Sequence, residues 1–159
     1  MTPKLLEVFL LEDTKNWKPV AGMKLYHVGS SKFSKFNDRP TWFTHDLDQV
    51  EGYKKNVNGE CWVYTCKLKP VKIATEKDAS PFAEKIFGEP VIYSMFDERI
   101  GEFDKEDIRN FVKAMEDAGY NGCQHTDYDS VDDQKDSVTL VLFHPNSSVN
   151  ILDIEDCNK

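Results

Sequence analysis

The chain has 159 residues, 40% of them hydrophobic and 12% aromatic, so it can bury one sizeable core and is too apolar for a disordered chain. Its 20 basic and 28 acidic residues give a formal charge of −8, which repels phosphate backbones and excludes a general role in coating nucleic acid. No apolar run approaches the ~18 residues of a membrane span, and no signal-peptide cleavage site follows the N-terminus, so we expect one cytoplasmic domain.

The N-terminal half of the chain is predicted to contain three strands and one helix. Residues 1–11 are ambiguous between helix and strand, whereas the apolar residues 23–27 favour a short strand. The segment Trp42–Thr44 reads as a second short strand. Apolar residues three apart then predict a helix over residues 46–55. The alternating pattern of residues 61–68, CWVYTCKL, predicts the third strand.

Two further helices are predicted downstream. Ser80 and Pro81 open a short helix that Gly88 closes. The clearer helix covers residues 105–118, with Asp104 placed to cap it. Its apolar residues fall at i, i+3, i+4 and i+7, and we expect them to face the core; they are Ile108, Phe111, Val112 and Met115.

The remaining segments are predicted to be strands and one polar loop. Residues 91–96 could form a strand or a buried turn of helix. Residues 125–136 are acidic and turn-rich, and residues 127–136 favour a solvated loop. Two apolar segments predict strands over residues 138–143 and 149–154, with a hairpin-like connection at residues 145–147. The whole pattern is typical of a single α+β domain in which strands outnumber helices.

The four cysteines favour neither a zinc site nor a disulfide framework. None belongs to a CxxC pair, and Cys61 and Cys66, five apart in a strand-like run, would face opposite ways. Cys123 and Cys157 stand alone in the C-terminal half. We therefore predict no metal site and a reducing cytoplasm.

Four short motifs follow one another through most of the chain. The first is LYHVGS at residues 25–30, and the second is TWFT at residues 41–44 with Tyr53 eleven residues after its tryptophan. The third is GYNG at residues 119–122, and the fourth runs over residues 138–151. Their order and spacing resemble the ADP-ribosyltransferase fold of the His-Tyr-Glu class, with the greatest likeness to its small phage- and mobile-element-associated members.

The resemblance implies two small, mostly antiparallel sheets forming a cleft that holds NAD as co-substrate. His27 would hydrogen-bond the adenosine-side ribose, and the backbone of Val28 or Gly29 would pair with the carboxamide. Trp42 and Tyr53 would sandwich the nicotinamide ring, because aromatic faces attract a cationic pyridinium. Ser30 and Phe43 complete the implied NAD-binding residues.

The catalytic carboxylate is where the sequence departs from the family. Thr139 stands where the resemblance places a glutamate, and it cannot supply the negative charge that stabilises an oxocarbenium-like transition state. Trp42 likewise replaces the usual tyrosine. Asp136 is the nearest carboxylate in sequence, and Asp129 or Asp133 could reach in from the acidic segment. Asp136 could serve only if its strand begins after it, since residues three apart in a strand face opposite ways. The catalytic candidates are His27, Thr139 and Asp136.

Three functions from different classes follow. The favoured one is an ADP-ribosyltransferase that uses NAD to modify a macromolecular acceptor, with protein preferred. The second is a degenerate transferase-fold module that binds a nucleotide or a protein partner without turnover. The third is an acidic interaction or inhibitor protein, such as a phage anti-host or anti-defence factor in the host cytoplasm. A simpler interpretation makes His27 a satisfied strand-end histidine and the nearby aromatic residues core.

Overall fold

The structure, a computed structural model, describes residues 19–89, 103–128 and 136–158. The predictions for residues 1–11 and 91–96, and the roles considered for Asp129 and Asp133, lie outside the described residues. Within the described ranges the chain forms the predicted α+β fold, with seven strands and four helices.

The strands are β1 (Lys24–Gly29), β2 (Thr41–Thr44), β3 (Trp62–Leu68), β4 (Ile73–Ala74), β5 (Gly122–Tyr128), β6 (Asp136–Leu142) and β7 (Val149–Asp156). The helices are α1 (Leu47–Asn56), α2 (Glu76–Phe87), α3 (Lys105–Asp117) and α4 (Pro145–Ser148). The four strands predicted at residues 23–27, 61–68, 138–143 and 149–154 are confirmed, with shifts of one or two residues at their ends.

The helices begin and end where local capping chemistry allows. Asp104 caps α3, as predicted, because its carboxylate accepts a hydrogen bond from the backbone N–H of Glu106 at 2.8 Å. Gly88, with a φ of +77°, closes α2 as predicted. The start of α2 was predicted too late, because Thr75 and Asp78 form a capping box that begins the helix at Glu76.

All seven strands belong to one sheet in the order β4-β5-β6-β2-β1-β3-β7. Every neighbouring pair is antiparallel except β4 and β5. The expectation of two separate sheets is wrong, because β2 pairs on both of its edges and joins the two halves. Its pairing is unequal: β2 matches β6 at four positions but matches β1 only at Tyr26 with Thr44. We call this weakly paired centre of the sheet the β1–β2 junction.

Two segments differ from their sequence-based predictions. Residues 125–128, expected in an acidic, turn-rich segment, belong to β5, because pairing with β6 extends from Gly122 to Tyr128. Long-range pairing here overrides a polar composition that disfavours strands. The predicted hairpin between β6 and β7 is also wrong. The connection contains α4, and β7 crosses to the far edge of the sheet to pair with β3.

The core consists of two hydrophobic clusters that share β6. Val141 and Phe143 pack in the first cluster with Phe111 and Met115 of α3, which confirms the predicted packing face of that helix. Leu140 and Leu142 pack in the second cluster, and its other members include Leu25, Phe43 and Tyr64. Alternate residues of one strand thus serve opposite faces of the sheet.

A disulfide joins Cys61 to Cys157, contrary to the prediction that the spacings favour no disulfide. The two cysteines are 96 residues apart in sequence, but β3 and β7 pair antiparallel from Trp62 opposite Asp156. Their outer neighbours therefore meet with a Cα–Cα distance of 5.3 Å. Cys66 and Cys123 are free and buried, and burial raises the pKa of each thiol to about 12.

Candidate functional site

His27 lies at the β1–β2 junction and bridges the two strands through its side chain. β1 pairs with β3 at six positions, whereas its only pair with β2 is at Tyr26. One residue further on, Nδ1 of His27 lies 2.8 Å from the carbonyl oxygen of Trp42. A carbonyl oxygen can only accept, so Nδ1 carries the hydrogen of that bond. In the neutral ring, Nε2 then presents a lone pair.

The surroundings of His27 keep its ring neutral. Four aromatic rings lie with centroids between 5.5 and 6.4 Å from the imidazole; they belong to Phe33, Phe36, Phe43 and Tyr64. Burial lowers the pKa of His27, and the positive charge of Arg39 lowers it further, although the Trp42 carbonyl opposes both effects. At neutral pH, Nε2 of His27 is therefore a hydrogen-bond acceptor. Among the described residues, none forms a hydrogen bond with it.

Gly29 lies close to the rings of His27 and Tyr64. A Cβ placed on Gly29 would lie 3.5 Å from Nε2 of His27 and 3.5 Å from a ring carbon of Tyr64, both ordinary van der Waals contacts. Val28 and Gly29 pair with Val63 and Trp62 of β3 on one side, and the recorded pairing with β2 stops before them. Ser30, the last residue of the predicted motif, is exposed.

Two residues that sequence reasoning missed hold the segment that covers His27. The hydroxyl of Tyr64 donates to the carbonyl oxygen of Ser31 at 2.7 Å and accepts from the N–H of Phe33 at 2.9 Å. Asn146 accepts from the N–H of Phe36 at 3.0 Å and donates to its carbonyl oxygen. Tyr64 stood inside a predicted strand and Asn146 inside a predicted turn, and neither pattern carried a signal for this role.

The structure brings together only some of the predicted NAD-binding residues. Phe43 lies beside His27, with 5.7 Å between ring centroids. Trp42 is the neighbour of Phe43 in β2, but it packs against the first hydrophobic cluster, the one that contains Phe111. The side chains of His27 and Trp42 therefore lie on opposite faces of the sheet. Tyr53 is partly buried on α1, a helix that packs against β1 and β2.

Thr139 does not face an open site. It is fully buried and lies opposite Thr44 of β2, whose hydroxyl donates to the side-chain oxygen of Gln49. The described side chains at this point are thus neutral hydrogen-bonding groups. The condition for Asp136 to replace the missing glutamate is not met, because β6 already begins at Asp136 and runs continuously through Thr139.

A groove of about 420 Å³ lies between α3 and the residues that precede β2. At its rim, Nδ1 of His144 is 2.5 Å from Asp38 and Nε2 is 3.0 Å from Glu116. Asp38 is the main cause of a raised His144 pKa; partial burial opposes it, and Glu116 adds to it. Only an imidazolium donates from both nitrogens, so this cluster favours the protonated ring. The lone His144 in the sequence gave no sign of the cluster.

Within the described ranges, no group of histidine, cysteine and acidic residues is arranged to hold a metal ion. No helix in those ranges combines the length and apolar character needed to cross a bilayer.

Comparison with known proteins gives one structural likeness. No family model and no curated protein sequence matches the chain. A solved structure described as an anti-CRISPR protein is similar over 86% of this chain and 96% of its own, with a TM-score of 0.42 and 12% sequence identity.

Proposed function

We propose that the protein is a transferase-like module that binds NAD, or a closely related dinucleotide, at the β1–β2 junction without transferring ADP-ribose. The single observation that carries the proposal is the state of His27. Its Nδ1 is committed to the Trp42 carbonyl, and its neutral Nε2 is an oriented acceptor with no described partner. A partly buried acceptor of this kind favours a ligand that brings a hydrogen-bond donor.

The chemistry of a ribose suits this acceptor. A ribose hydroxyl can donate to Nε2. Backbone groups of adjacent strand residues point to opposite edges, so one of Val28 and Gly29 faces the β2 side and offers its N–H and C=O to a carboxamide, the role implied by the family resemblance. Phe33, stacked on Tyr64 with 4.3 Å between centroids, adds an aromatic wall suited to a base or a nicotinamide ring.

The environment of Thr139 is the reason for proposing binding without turnover. Cleavage of the bond between nicotinamide and ribose requires a carboxylate near the developing positive charge. Thr139 is neutral and fully buried, and its strand partner Thr44 is neutral as well. The macromolecular acceptor expected of an active transferase is therefore not part of the proposal.

Calorimetric titration with NAD tests the proposal, with nicotinamide release measured by chromatography on the same samples. We expect saturable binding and no release above the uncatalysed rate. His27→Ala should weaken the binding of NAD about three- to tenfold, the effect expected for the loss of one uncharged hydrogen bond. His144→Gln, a change in the groove beside α3, is the control and should leave the affinity for NAD unchanged.

Three results would contradict the proposal in different ways. Unchanged affinity in His27→Ala would place any NAD site elsewhere, and no NAD binding by the wild type would remove the site altogether. Nicotinamide release that is lost in Asp136→Asn would instead identify an active enzyme with a rearranged carboxylate.

Tyr53→Ala tests whether α1 contributes a stacking ring to the site. If it does, the variant should lose about 1–3 kcal/mol of binding free energy for NAD.

A further inference from the structure

One face of α3 presents a row of cations to the groove beside it. Lys105, Arg109 and Lys113 line the groove at intervals of four residues. Four residues of an α-helix rise about 6 Å, so the row extends about 12 Å. All three residues are exposed, and none forms an ion pair within the described ranges.

The described residues that line the groove include four Lys or Arg side chains, the fourth being Arg39 from the residues that precede β2. Of the three carboxylates at the groove, Asp38 and Glu116 are hydrogen-bonded to His144, and Asp117 is the third. With His144 protonated, the described lining residues therefore carry a small excess of positive charge on a chain whose formal charge is −8. Such a contrast attracts an anion to one place on an otherwise repelling surface.

The floor of the groove is apolar. Ile108 and Val112 of α3 lie between the cations, and Phe143 and Pro40 complete the lining. The volume of about 420 Å³ falls within the range of pockets that hold small ligands. An apolar floor with a cationic rim is complementary to a ligand that has an anionic group attached to an apolar body.

We propose that this groove binds a small organic phosphate, a phosphate ester on an apolar or aromatic body. Arg109 would contact the phosphate through its planar guanidinium, with Lys105 or Lys113 beside it, while the body covers Ile108 and Val112. A phosphate dianion can engage two cations of the row at once, which a single carboxylate does less well. The groove is separate from the His27 site, and the inference does not depend on NAD binding there.

Phenyl phosphate is a suitable probe because it has the proposed chemistry and lacks ribose hydroxyls. Its binding to the full chain is followed by calorimetry and by amide NMR shifts, with inorganic phosphate and phenol as the two partial ligands. We expect phenyl phosphate to bind more tightly than either partial ligand, with shifts concentrated on α3. His27→Ala should leave its affinity unchanged.

Two double variants with equal charge changes test the role of the row. Lys105→Gln/Lys113→Gln removes two cations of the groove, and Lys77→Gln/Lys85→Gln removes two exposed cations of α2 with the same spacing. The groove variant should bind phenyl phosphate about tenfold more weakly, the effect of losing one charge-assisted hydrogen bond. The α2 variant should change the affinity less than twofold.

Three outcomes would overturn the inference. Equal weakening in the two double variants would mean that phosphate responds only to net charge. The absence of saturable binding by the wild type, or shifts located away from α3, would mean that the lysine stems merely cover the apolar floor. A circular dichroism spectrum like that of the wild type is the folding check for each variant, since glutamine preserves helix propensity.

Discussion

At the scale of single residues, two glycines are constrained in opposite ways. A Cβ on Gly122 would lie 2.3 Å from the backbone oxygen of Val141, whereas a Cβ on Gly52 in α1 would meet nothing within 4 Å. We predict that Gly122→Ala lowers the free energy of unfolding by about 1–3 kcal/mol, because relieving the contact requires a shift of the β6 backbone. Gly52→Ala should raise it by up to about 1 kcal/mol. Urea denaturation of both variants provides the measurement, and similar effects at the two sites would contradict the structure.

His144 should make stability depend on pH in a defined direction. Its pKa is raised in the folded state, so its pairing with Asp38 and Glu116 stabilises the fold fully below the unfolded pKa of about 6.5. That stabilisation is lost as the pH rises through the folded pKa. We predict that the difference in unfolding free energy between wild type and His144→Gln shrinks over this interval.

The variant is needed because other histidines act in the opposite sense. Burial lowers the pKa values of His27 and His45 in the folded state. Their effect is therefore to increase the free energy of unfolding as the pH rises towards the unfolded pKa. Subtracting the His144→Gln profile, measured by urea denaturation at each pH, isolates the residue. A difference that is constant from pH 5 to 9 would show that His144 has the same pKa in both states.

At the scale of elements, the disulfide fastens the end of the edge strand β7 to the start of β3. Cys61 and Cys157 close a loop with a sequence separation of 96. We predict that Cys61→Ser/Cys157→Ser lowers the free energy of unfolding by about 2–5 kcal/mol, as expected for a long closed loop. Hydrogen exchange should show the largest loss of protection near residues 62 and 156, which are paired beside the bond.

Alkylation separates this bond from the two free thiols. After reduction of the folded protein, iodoacetamide should modify Cys157 first, because Cys66 and Cys123 are fully buried with pKa values raised to about 12. Mass spectrometry counts the modified sites. Rapid alkylation of Cys66 or Cys123 would contradict the packing of the core, and four free thiols without any reductant would contradict the disulfide. The thiols should be counted on protein isolated from a reducing cytoplasm, because that is the predicted compartment and it disfavours disulfides.

At the scale of the whole molecule, the shared strand β6 should make unfolding cooperative. It contributes Leu140 and Leu142 to one cluster and Val141 to the other, so neither cluster can disperse alone without disturbing this strand. We predict that Phe43→Ala and Phe111→Ala, one in each cluster, both lower the midpoint of a single transition. Each should cost about 3–5 kcal/mol.

Two probes measured on the same samples check the cooperativity. Tryptophan fluorescence and far-ultraviolet circular dichroism should report coincident transitions in urea for the wild type and for both variants. Separate midpoints would show that the weak β1–β2 junction lets the two halves of the sheet unfold independently.

The sequence by itself determined the features that depend on neighbouring residues. Capping by Asp104, the apolar face of α3 and the helix end at Gly88 follow from chemistry within one or two turns. Strands such as β3 also follow from a local alternation. The role of His27 came instead from the family resemblance, and it remains a prediction. The roles of Trp42 and Tyr53 in NAD binding remain predictions.

Only the tertiary structure decided which distant segments meet. Tyr64 contacts Ser31 across 33 positions, Asn146 contacts Phe36 across 110, and the disulfide spans 96. β5 exists because β6 pairs with it, although its own composition favours a loop. Strand order and register bring these partners together, and they depend on the packing of the whole sheet, which no short stretch of sequence encodes. The groove beside α3 has the same origin, because its two walls come from segments that adjoin only in the folded chain.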